Sequence, residues 1–322
     1  MSKAFSLIHN SGGLWLIRDY VKLGVAGKVL RGVCNGIVKG KPLGAIHDGF
    51  QPDVVRALSE RYRPLMVSRL DFWEKENLER KRADIVWFCW LQGLESAPPI
   101  VRACYESLKR NLVGKEIRVV DDGNRRVYVR LPEFIEERWR KKKISPALFS
   151  DLIRLELLIK FGGTWIDSTV LCSGEDYPRE YMDSDLFFFQ YKRSLEDPFG
   201  GISNWFITSC SNNPLLLALR DLLYAYWKDF KSVPEYFIFH IFFSMIAVAR
   251  AREVTAMPYG YSPKCHVLQR HWGEEFNAAK WEKLVSEVQI HKLTHKISDE
   301  IKRNKRNYYH YVVHEYVAKK ID

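Results

Sequence analysis

The chain has 322 residues, of which 47% are hydrophobic, 14% aromatic and 28% charged. This composition can build a substantial apolar core, and it excludes disordered, collagenous and small disulfide-rich proteins. Lys and Arg number 50 and Asp and Glu 39, so the net charge is +11, which bears on partners and solubility rather than on fold. The length fits two domains of about 150 residues, or one α/β domain with appendages.

The excess charge is concentrated at the amino terminus. Residues 1–44 contain seven basic residues and one acid, and so supply +6 of the +11. The chain has no zinc-finger spacing, basic zipper or RNA-binding aromatic motif, so we expect no nucleic-acid partner. The apolar stretch 14–17 is too short for a signal peptide, and the six cysteines are scattered singly, which favours a reduced cytoplasmic compartment.

The basic segment also contains apolar residues at helical spacing. The apolar positions are Leu14, Trp15, Ile17, Val21, Val25 and Val29, and the basic positions among them are Arg18, Lys22, Lys28 and Arg31. Such a helix is typical of peripheral contact with an anionic membrane, here the inner face of the cell membrane. The alternative is that the segment packs on the rest of the protein.

In chain order, the predicted elements up to residue 83 are helical and irregular. They comprise a glycine-interrupted segment over 14–33, a glycine-rich loop over 24–44 and an amphipathic helix over 53–78. From Asp84 the pattern changes, because the apolar run 85–90 is typical of a strand buried on both faces of a mainly parallel sheet. We therefore expect a helical, basic extension over 1–83 and an α/β domain over 84–322.

A helix over 100–112 and a second strand over 116–120 complete a strand-helix-strand unit. Ligands bind such sheets at the carboxyl ends of the strands. The first such place is Trp90 to Gly93, and the second is Asp121 to Asn124. Asp121 and Asp122 either contact a ribose or only form the turn. Further along, the charge run at the end of helix 132–143 is interpreted as a solvated helix end, and the apolar run 236–249 as a buried helix.

The segment 145–172 carries the densest pattern. Ser150 is the predicted cap of a helix that runs to Lys160, and Asp151 and Arg154 project from the same face of its first turn. A pair of glycines ends the helix, and a short strand then leads to Asp167. Alone, an Asp–Arg pair at this spacing is most often a surface ion pair. Gathered around one anionic ligand, the same groups would form a binding site.

The motif S-D-x-x-R, followed by F-G-G-x-W-I-D-x-T, resembles the sugar-nucleotide site of GT-A glycosyltransferases related to the capsular polysaccharide synthesis proteins. It resembles more distantly the initiating mannosyltransferases and the clostridial glucosylating toxins. Their first-strand motif, Trp-x-x-Gly, is similar to Trp90-Leu91-Gln92-Gly93. The similarity runs in order over residues 85–295. It implies a GT-A fold, a Rossmann-like, mainly parallel sheet flanked by helices.

The resemblance assigns donor-binding roles to several residues. Trp90, in the motif with Gln92 and Gly93, would stack on the nucleotide base, although a core aromatic is the plain alternative. Asp151 and Arg154 would hold the donor sugar and its phosphates. Trp165 would line the donor pocket, or it belongs to the core. Asn204 would be a polar contact near the sugar, or it is a turn residue.

The resemblance also implies a divalent cation, Mn²⁺ or Mg²⁺. Asp167 would be the first carboxylate of the Asp-x-Asp motif, whose last position is Thr169 here, so that a hydroxyl or water completes the metal shell. His291 resembles the histidine that faces the metal or diphosphate, with His295 and Lys292 as alternatives. Lys292 would assist with phosphate charge. Oxygen ligands suit both cations.

These assignments imply a hexosyltransferase, an enzyme that retains anomeric configuration and moves a hexose from a nucleotide-diphosphate sugar, here a UDP-sugar. The acceptor would be a growing surface polysaccharide or a lipid-linked glycan. The leading alternative is a non-catalytic sugar-nucleotide or glycan-binding protein with the same fold, which Thr169 makes plausible because the motif supplies only one carboxylate.

Overall fold

A computed structural model describes residues 13–191 and 201–316. Within this part of the chain, a mixed six-stranded sheet has the order β2-β1-β3-β6-β5-β7, and a two-stranded sheet pairs β4 with β8. The strands are β1 (Ile85–Cys89), β2 (Glu116–Val120), β3 (Gly163–Asp167), β4 (Val170–Cys172), β5 (Leu186–Gln190), β6 (Ile202–Ser209), β7 (Gly260–Tyr261) and β8 (Ile290–Lys292). Strand β1 is parallel to β2 and β3, β5 is parallel to β7, and β6 is antiparallel to β3 and β5.

Helices cover both faces of the sheet. They are α1 (Leu14–Lys22), α2 (Ala26–Val38), α3 (Leu43–Glu76), α4 (Pro99–Asn111), α5 (Arg125–Tyr128), α6 (Glu133–Arg140), α7 (Pro146–Phe161), α8 (Glu180–Asp183), α9 (Pro214–Asp229), α10 (Ile238–Ala249), α11 (Ala251–Thr255), α12 (Ser262–Cys265), α13 (Val267–Arg270), α14 (Ala278–Glu287), α15 (Asp299–Arg303) and α16 (Tyr308–His310). The predicted α/β class, with a mostly parallel sheet and a helical amino-terminal region, is confirmed.

The glycine-rich loop expected over 24–44 is wrong, because most of it forms helix α2. Its glycines serve close packing rather than chain breaking. A Cβ atom at Gly36 would collide with the side chain of Ile46 on α3, and one at Gly32 would lie 3.3 Å from Cβ of Phe50. Four residues apart, both glycines lie on the same helix face and let α2 and α3 approach.

Helix α3 fixes the amino-terminal region to the sheet domain. Leu58 and Tyr62 are buried on it, and Tyr62 packs edge-on against Phe242 of α10 with ring centroids 4.9 Å apart. The Tyr62 hydroxyl donates to Asp229 of α9 over 2.8 Å. The buried carboxylate of Asp19 on α1 accepts the backbone N–H groups of residues 231 and 232. The extension and the domain therefore share one core.

The apolar residues proposed for membrane contact divide into two groups. Val25 and Val29 are buried against the protein, as in the packing alternative. Four others remain exposed: Leu14, Trp15, Ile17 and Val21. Among the described residues, no helix is both long enough and apolar enough to cross a bilayer.

Candidate active site

Three strand ends bring the predicted site residues to one edge of the sheet. In the parallel pairing, Cys89 of β1 lies opposite both Val120 of β2 and Asp167 of β3. The residues that follow β1 and β2, Trp90 and Asp121, therefore lie beside Asp167. The carboxyl edge of a parallel sheet is where such folds bind ligands.

Helix α7 carries the Asp–Arg pair, but it begins earlier than predicted. Ser145 is the cap, since its hydroxyl accepts the N–H of Leu148 over 3.3 Å, and Pro146 follows at the first helical position. The prediction of Ser150 as the cap is wrong. Its hydroxyl donates to the carbonyl of Ala147, and Asp151 consequently lies in the second turn of the helix.

Arg154 is the centre of the cluster. Its Nη2 lies 3.3 Å from a carboxylate oxygen of Asp151 and 3.4 Å from one of Asp167. Its Nη1 donates to the backbone carbonyl of Asn204, and its guanidinium carbon lies 4.8 Å from the ring centroid of Trp165. The side chain is only 5% exposed, so Arg154 holds two carboxylates together inside the protein.

The two carboxylates differ in acidity. Burial raises the pKa of Asp151 from 3.8 to about 6, against the opposing effect of Arg154. Burial acts in the same direction on Asp167, but Lys292 and Arg154 outweigh it and hold the pKa of Asp167 below its ordinary value. The side-chain amide of Asn204 also donates to Asp151 over 3.0 Å. Near neutral pH, Asp167 is therefore the more firmly ionised of the pair.

Lys292 reaches Asp167 from the second sheet. Strand β8 pairs with β4 so that Lys292 lies opposite Val170. Its ammonium group donates to Oδ2 of Asp167 over 2.8 Å and to Oγ1 of Thr169 over 2.9 Å. One cation thus bridges the two oxygen groups predicted to bind a metal.

His291 is not brought to this cluster. Adjacent residues of a strand point to opposite faces, and His291 lies on the face away from Lys292. Its ring is fully buried, and Nε2 is 2.8 Å from the hydroxyl of Ser173. Burial lowers the pKa of His291 to about 3, so the imidazole is neutral. The structure places it as a core residue of β8, whereas His295 is exposed with its ring 5.4 Å from that of Trp90.

Trp165 contacts its neighbours rather than an open pocket. It is 1% exposed, and its indole N–H donates to Oδ1 of Asp167 over 2.9 Å. Its face supports the guanidinium of Arg154. The ring therefore fixes the positions of both charged groups from the core side.

The turn after β1 has a defined shape. The N–H of Gly93 donates to the carbonyl of Trp90, and Gly93 has a φ of 84°, which favours glycine. Gln92 is exposed, and its carbonyl accepts the hydroxyl of Ser96. The indole N–H of Trp90 is buried and has no hydrogen-bond partner among the described residues.

In the turn after β2, the carboxylate of Asp121 forms a hydrogen bond within the turn itself. The carboxylate of Asp121 accepts the N–H of Asn124 over 2.8 Å, and the Asn124 side chain accepts the N–H of Asp121 over 3.0 Å. Asp122 accepts from Arg125 and from the indole of Trp139. Both acids therefore form the turn, and ribose contact by Asp121 stays a prediction.

The oxygen groups at the edge suit a hard divalent cation. Mg²⁺ commonly takes one or two carboxylates, with waters and substrate phosphates completing its shell. Asp167 and Thr169 can supply two such oxygens once the ammonium of Lys292 moves from between them. No group of three or more His, Cys, Asp or Glu side chains suited to a metal exists among residues 13–191 and 201–316. Waters or substrate phosphates would complete the shell of a cation bound by Asp167 and Thr169.

The charge of the carboxylate cluster also affects Tyr236, a residue outside the predicted site. Burial raises the pKa of Tyr236, and the negative charge of Asp151 raises it further. It lies 85 residues beyond Asp151 at the start of an apolar run, and no local pattern marks it as a site residue.

Taken together, fold and site define an α/β protein with a buried arginine, a lysine and two carboxylates gathered where parallel strands end. The chain belongs to the family of capsular polysaccharide synthesis proteins, which matches residues 51–312. A solved chain described as "PaToxG Glycosyltransferase" is similar at 12% identity and a TM-score of 0.39, covering 70% of this chain and 94% of that one. No curated protein matches the chain.

Proposed function

We propose that the protein is a glycosyltransferase that uses a nucleotide-diphosphate sugar in surface polysaccharide synthesis. Family membership supports the pathway. The observation that carries the chemistry is the cluster in which Arg154 and Lys292 contact the carboxylate of Asp167 at the strand edge. Cations fixed beside carboxylates suit a reaction in which negative charge grows on a leaving diphosphate.

Each charged group has a role in this proposal. Lys292, 17% exposed, offers its ammonium to the diphosphate, while Arg154 keeps Asp151 and Asp167 at fixed positions. Asp167 and Thr169 would hold Mn²⁺ or Mg²⁺, which supplies Lewis-acid stabilisation of the departing diphosphate when bound. His291 has no part in this arrangement.

The remaining site residues fit the sugar and the nucleotide. The Asp151 carboxylate, oriented by Asn204, would accept hydrogen bonds from hydroxyls of a hexose. The turn from Trp90 to Gly93 would contact the base of a UDP-sugar, and Asp121 would reach the ribose. The proposed hexosyl transfer retains anomeric configuration, as the family resemblance implies, and takes place at one face of the donor without an assigned protein nucleophile.

The acceptor in this proposal is a growing polysaccharide or a lipid-linked glycan. The exposed apolar residues of α1, with Arg18 and Lys22 beside them, support peripheral contact with the anionic inner face of a membrane. Flotation with anionic liposomes tests that contact, and equal flotation of Trp15→Glu and the unmodified protein would contradict it.

A hydrolysis screen tests the donor site. The protein is incubated with a panel of UDP-, GDP- and other nucleotide sugars in Mn²⁺ or Mg²⁺, and free nucleotide is measured. We expect hydrolysis of one donor, and a loss of at least 100-fold in Asp167→Asn because a charge placed to act in the transition state is removed. The matched control is Asp299→Asn on exposed helix α15, which should retain full activity.

A non-catalytic binding protein is the second candidate, favoured by Thr169 in place of the motif's last carboxylate. It predicts tight nucleotide-sugar binding without turnover on any donor. Hydrolysis that is equal in Asp167→Asn and the unmodified protein would refute the site assignment itself.

A further inference from the structure

A large cavity separates the amino-terminal helices from the start of α7. Its volume is about 1390 Å³, above the roughly 300–1,000 Å³ of ordinary small-molecule pockets. The donor-site roles proposed above use none of its lining residues. A cavity of this size beside a charged site calls for a bulky ligand.

One wall of the cavity is apolar and comes from the amino-terminal helices. Trp15 and Leu16 of α1, Val29 and Val33 of α2, and Phe50 of α3 contribute to it. Because α1 to α3 share their core with the sheet domain, this wall is a fixed part of the fold. It offers a surface for a hydrocarbon chain, whose burial is favourable by about 0.8 kcal/mol per CH₂.

The rest of the cavity lining is rich in basic residues. Seven Arg and Lys side chains line the cavity, against the two acids Asp122 and Glu137. Some of these cations pair with glutamates, as Lys141 does with Glu137. Lys142, Lys143 and Lys231 are exposed, and within the described chain they form no salt bridge. Their charge is available to an anionic headgroup.

The cavity reaches the first turn of α7, the helix that carries Asp151 and Arg154. Ser145 and Leu148 at the start of α7 line it, and Leu148 is three residues before Asp151, hence adjacent on the helix surface. The axial rise places Ser145 about 9 Å from Asp151. Tyr236 also lines the cavity, and the negative charge of Asp151 contributes to its raised pKa. A ligand in the cavity would thus present its polar end near the proposed donor site.

We propose that this cavity binds the acceptor as a single amphiphile, with its hydrocarbon chain against α1 to α3 and its phosphate or diphosphate beside Lys142 and Lys143. The assignment rests on the proposed glycosyl transfer, since it names the acceptor class for that reaction. An apolar wall and unpaired cations in one cavity match both parts of such a lipid, whereas a neutral glycan would need neither.

The test is calorimetric titration of the full chain with farnesyl diphosphate, kept below the concentration at which it aggregates. Farnesol and inorganic pyrophosphate are titrated separately, as the hydrocarbon part and the diphosphate part of that ligand. We expect farnesyl diphosphate to bind at least tenfold more tightly than either. Lys142→Glu with Lys143→Glu should weaken it about tenfold, since two favourable contacts become repulsive. The charge-matched control is Lys280→Glu with Lys283→Glu on exposed α14, outside the cavity.

A second variant probes the apolar wall. Val33→Trp fills the cavity and should weaken farnesyl diphosphate at least fivefold, whereas Ile37→Trp, one turn further on α2, should not. Thermal unfolding checks that both variants remain folded.

Three outcomes would overturn the assignment. If the Lys142/Lys143 variant and its control bind farnesyl diphosphate with equal affinity, these lysines do not form the headgroup site. If pyrophosphate binds as tightly as farnesyl diphosphate, the cavity binds phosphate groups and has no site for the hydrocarbon chain. Loss of binding to phosphatidylglycerol vesicles in that variant, with affinity for monomeric farnesyl diphosphate unchanged, assigns the cations to a membrane surface. The titration contains no nucleotide sugar, so its result is independent of the hydrolysis screen.

Discussion

In the proposed site, Lys292 and a divalent cation would compete for the same two oxygens. Removing the lysine charge should therefore strengthen metal binding. The Lys292 ammonium lies 2.8 Å from Oδ2 of Asp167 and 2.9 Å from Oγ1 of Thr169. A metal ion held by Asp167 and Thr169 would require the ammonium of Lys292 to move aside, and the two positive charges would then repel each other. Lys292→Met removes the competing charge and leaves an aliphatic chain of similar length.

The magnitude follows from the remaining repulsion. Two unit charges about 4 Å apart interact by about 1 kcal/mol in water and about 4 kcal/mol near a protein surface, and a divalent ion doubles either value. The value in water is a lower bound, because the side chain of Asp167 is only 25% exposed. From this bound we expect a gain of at least about 2 kcal/mol, or about 30-fold in affinity.

The assay is Mn²⁺ titration followed by electron paramagnetic resonance, without nucleotide. Lys292→Met should bind Mn²⁺ about 30-fold more tightly than the unmodified protein, yet hydrolyse donor more slowly because a phosphate-neutralising cation is lost. Lys296→Met, an exposed lysine four residues away, is the control and should change neither property. Equal or weaker Mn²⁺ affinity in Lys292→Met would refute a metal position between Asp167 and Thr169.

Two further predictions concern the carboxylate pair. Arg154→Met leaves both acids without their shared cation, and breaking a buried ion pair costs about 3 kcal/mol. With an unfolding entropy of about 2.1 cal/mol/K per residue, this lowers the Tm by about 4 °C in calorimetry, and a Tm within about 1 °C of the unmodified protein would contradict it. Because the folded-state pKa of Asp151 is raised from 3.8 to about 6, the folded protein binds that proton more tightly, and stability falls as pH rises between these values. Urea unfolding at pH 4 and pH 6 should show a smaller fall in Asp151→Asn, and an identical fall in the two proteins would exclude Asp151 as its source.

Local patterns in the sequence predicted the first three strands, but none of β5 to β8. The second strand was predicted at 116–120 and the first within one residue, because apolar runs bounded by turn residues determine strands largely on their own. Helix α2 was missed for a physical reason. Glycine is unfavourable in an isolated helix, but Gly36 is required where α2 meets Ile46, and that contact lies outside any local pattern.

For the candidate site, too, local patterns predicted some features and not others. The spacing of Asp151 and Arg154 was sufficient to place them on one helix face. The bond between Lys292 and Asp167 spans 125 residues and depends on the pairing of β4 with β8, which no local pattern contains. The family resemblance identified Lys292, although not its partner, and assigned His291 to the metal, whereas strand alternation turns it into the core.

The contacts of the amino-terminal helices with segments far along the chain also affect folding during synthesis. Asp19 bonds to Ser232 across 213 residues of sequence. At a synthesis rate of about 5–20 residues per second, roughly 10 to 40 seconds pass between the synthesis of Asp19 in α1 and that of Ser232, its hydrogen-bond partner. Until α9 and α10 have been synthesised, Tyr62 of α3 lacks its contacts with Asp229 and Phe242. We expect nascent chains of this protein to engage chaperones until α9 and α10 have emerged, and its refolding to be slow.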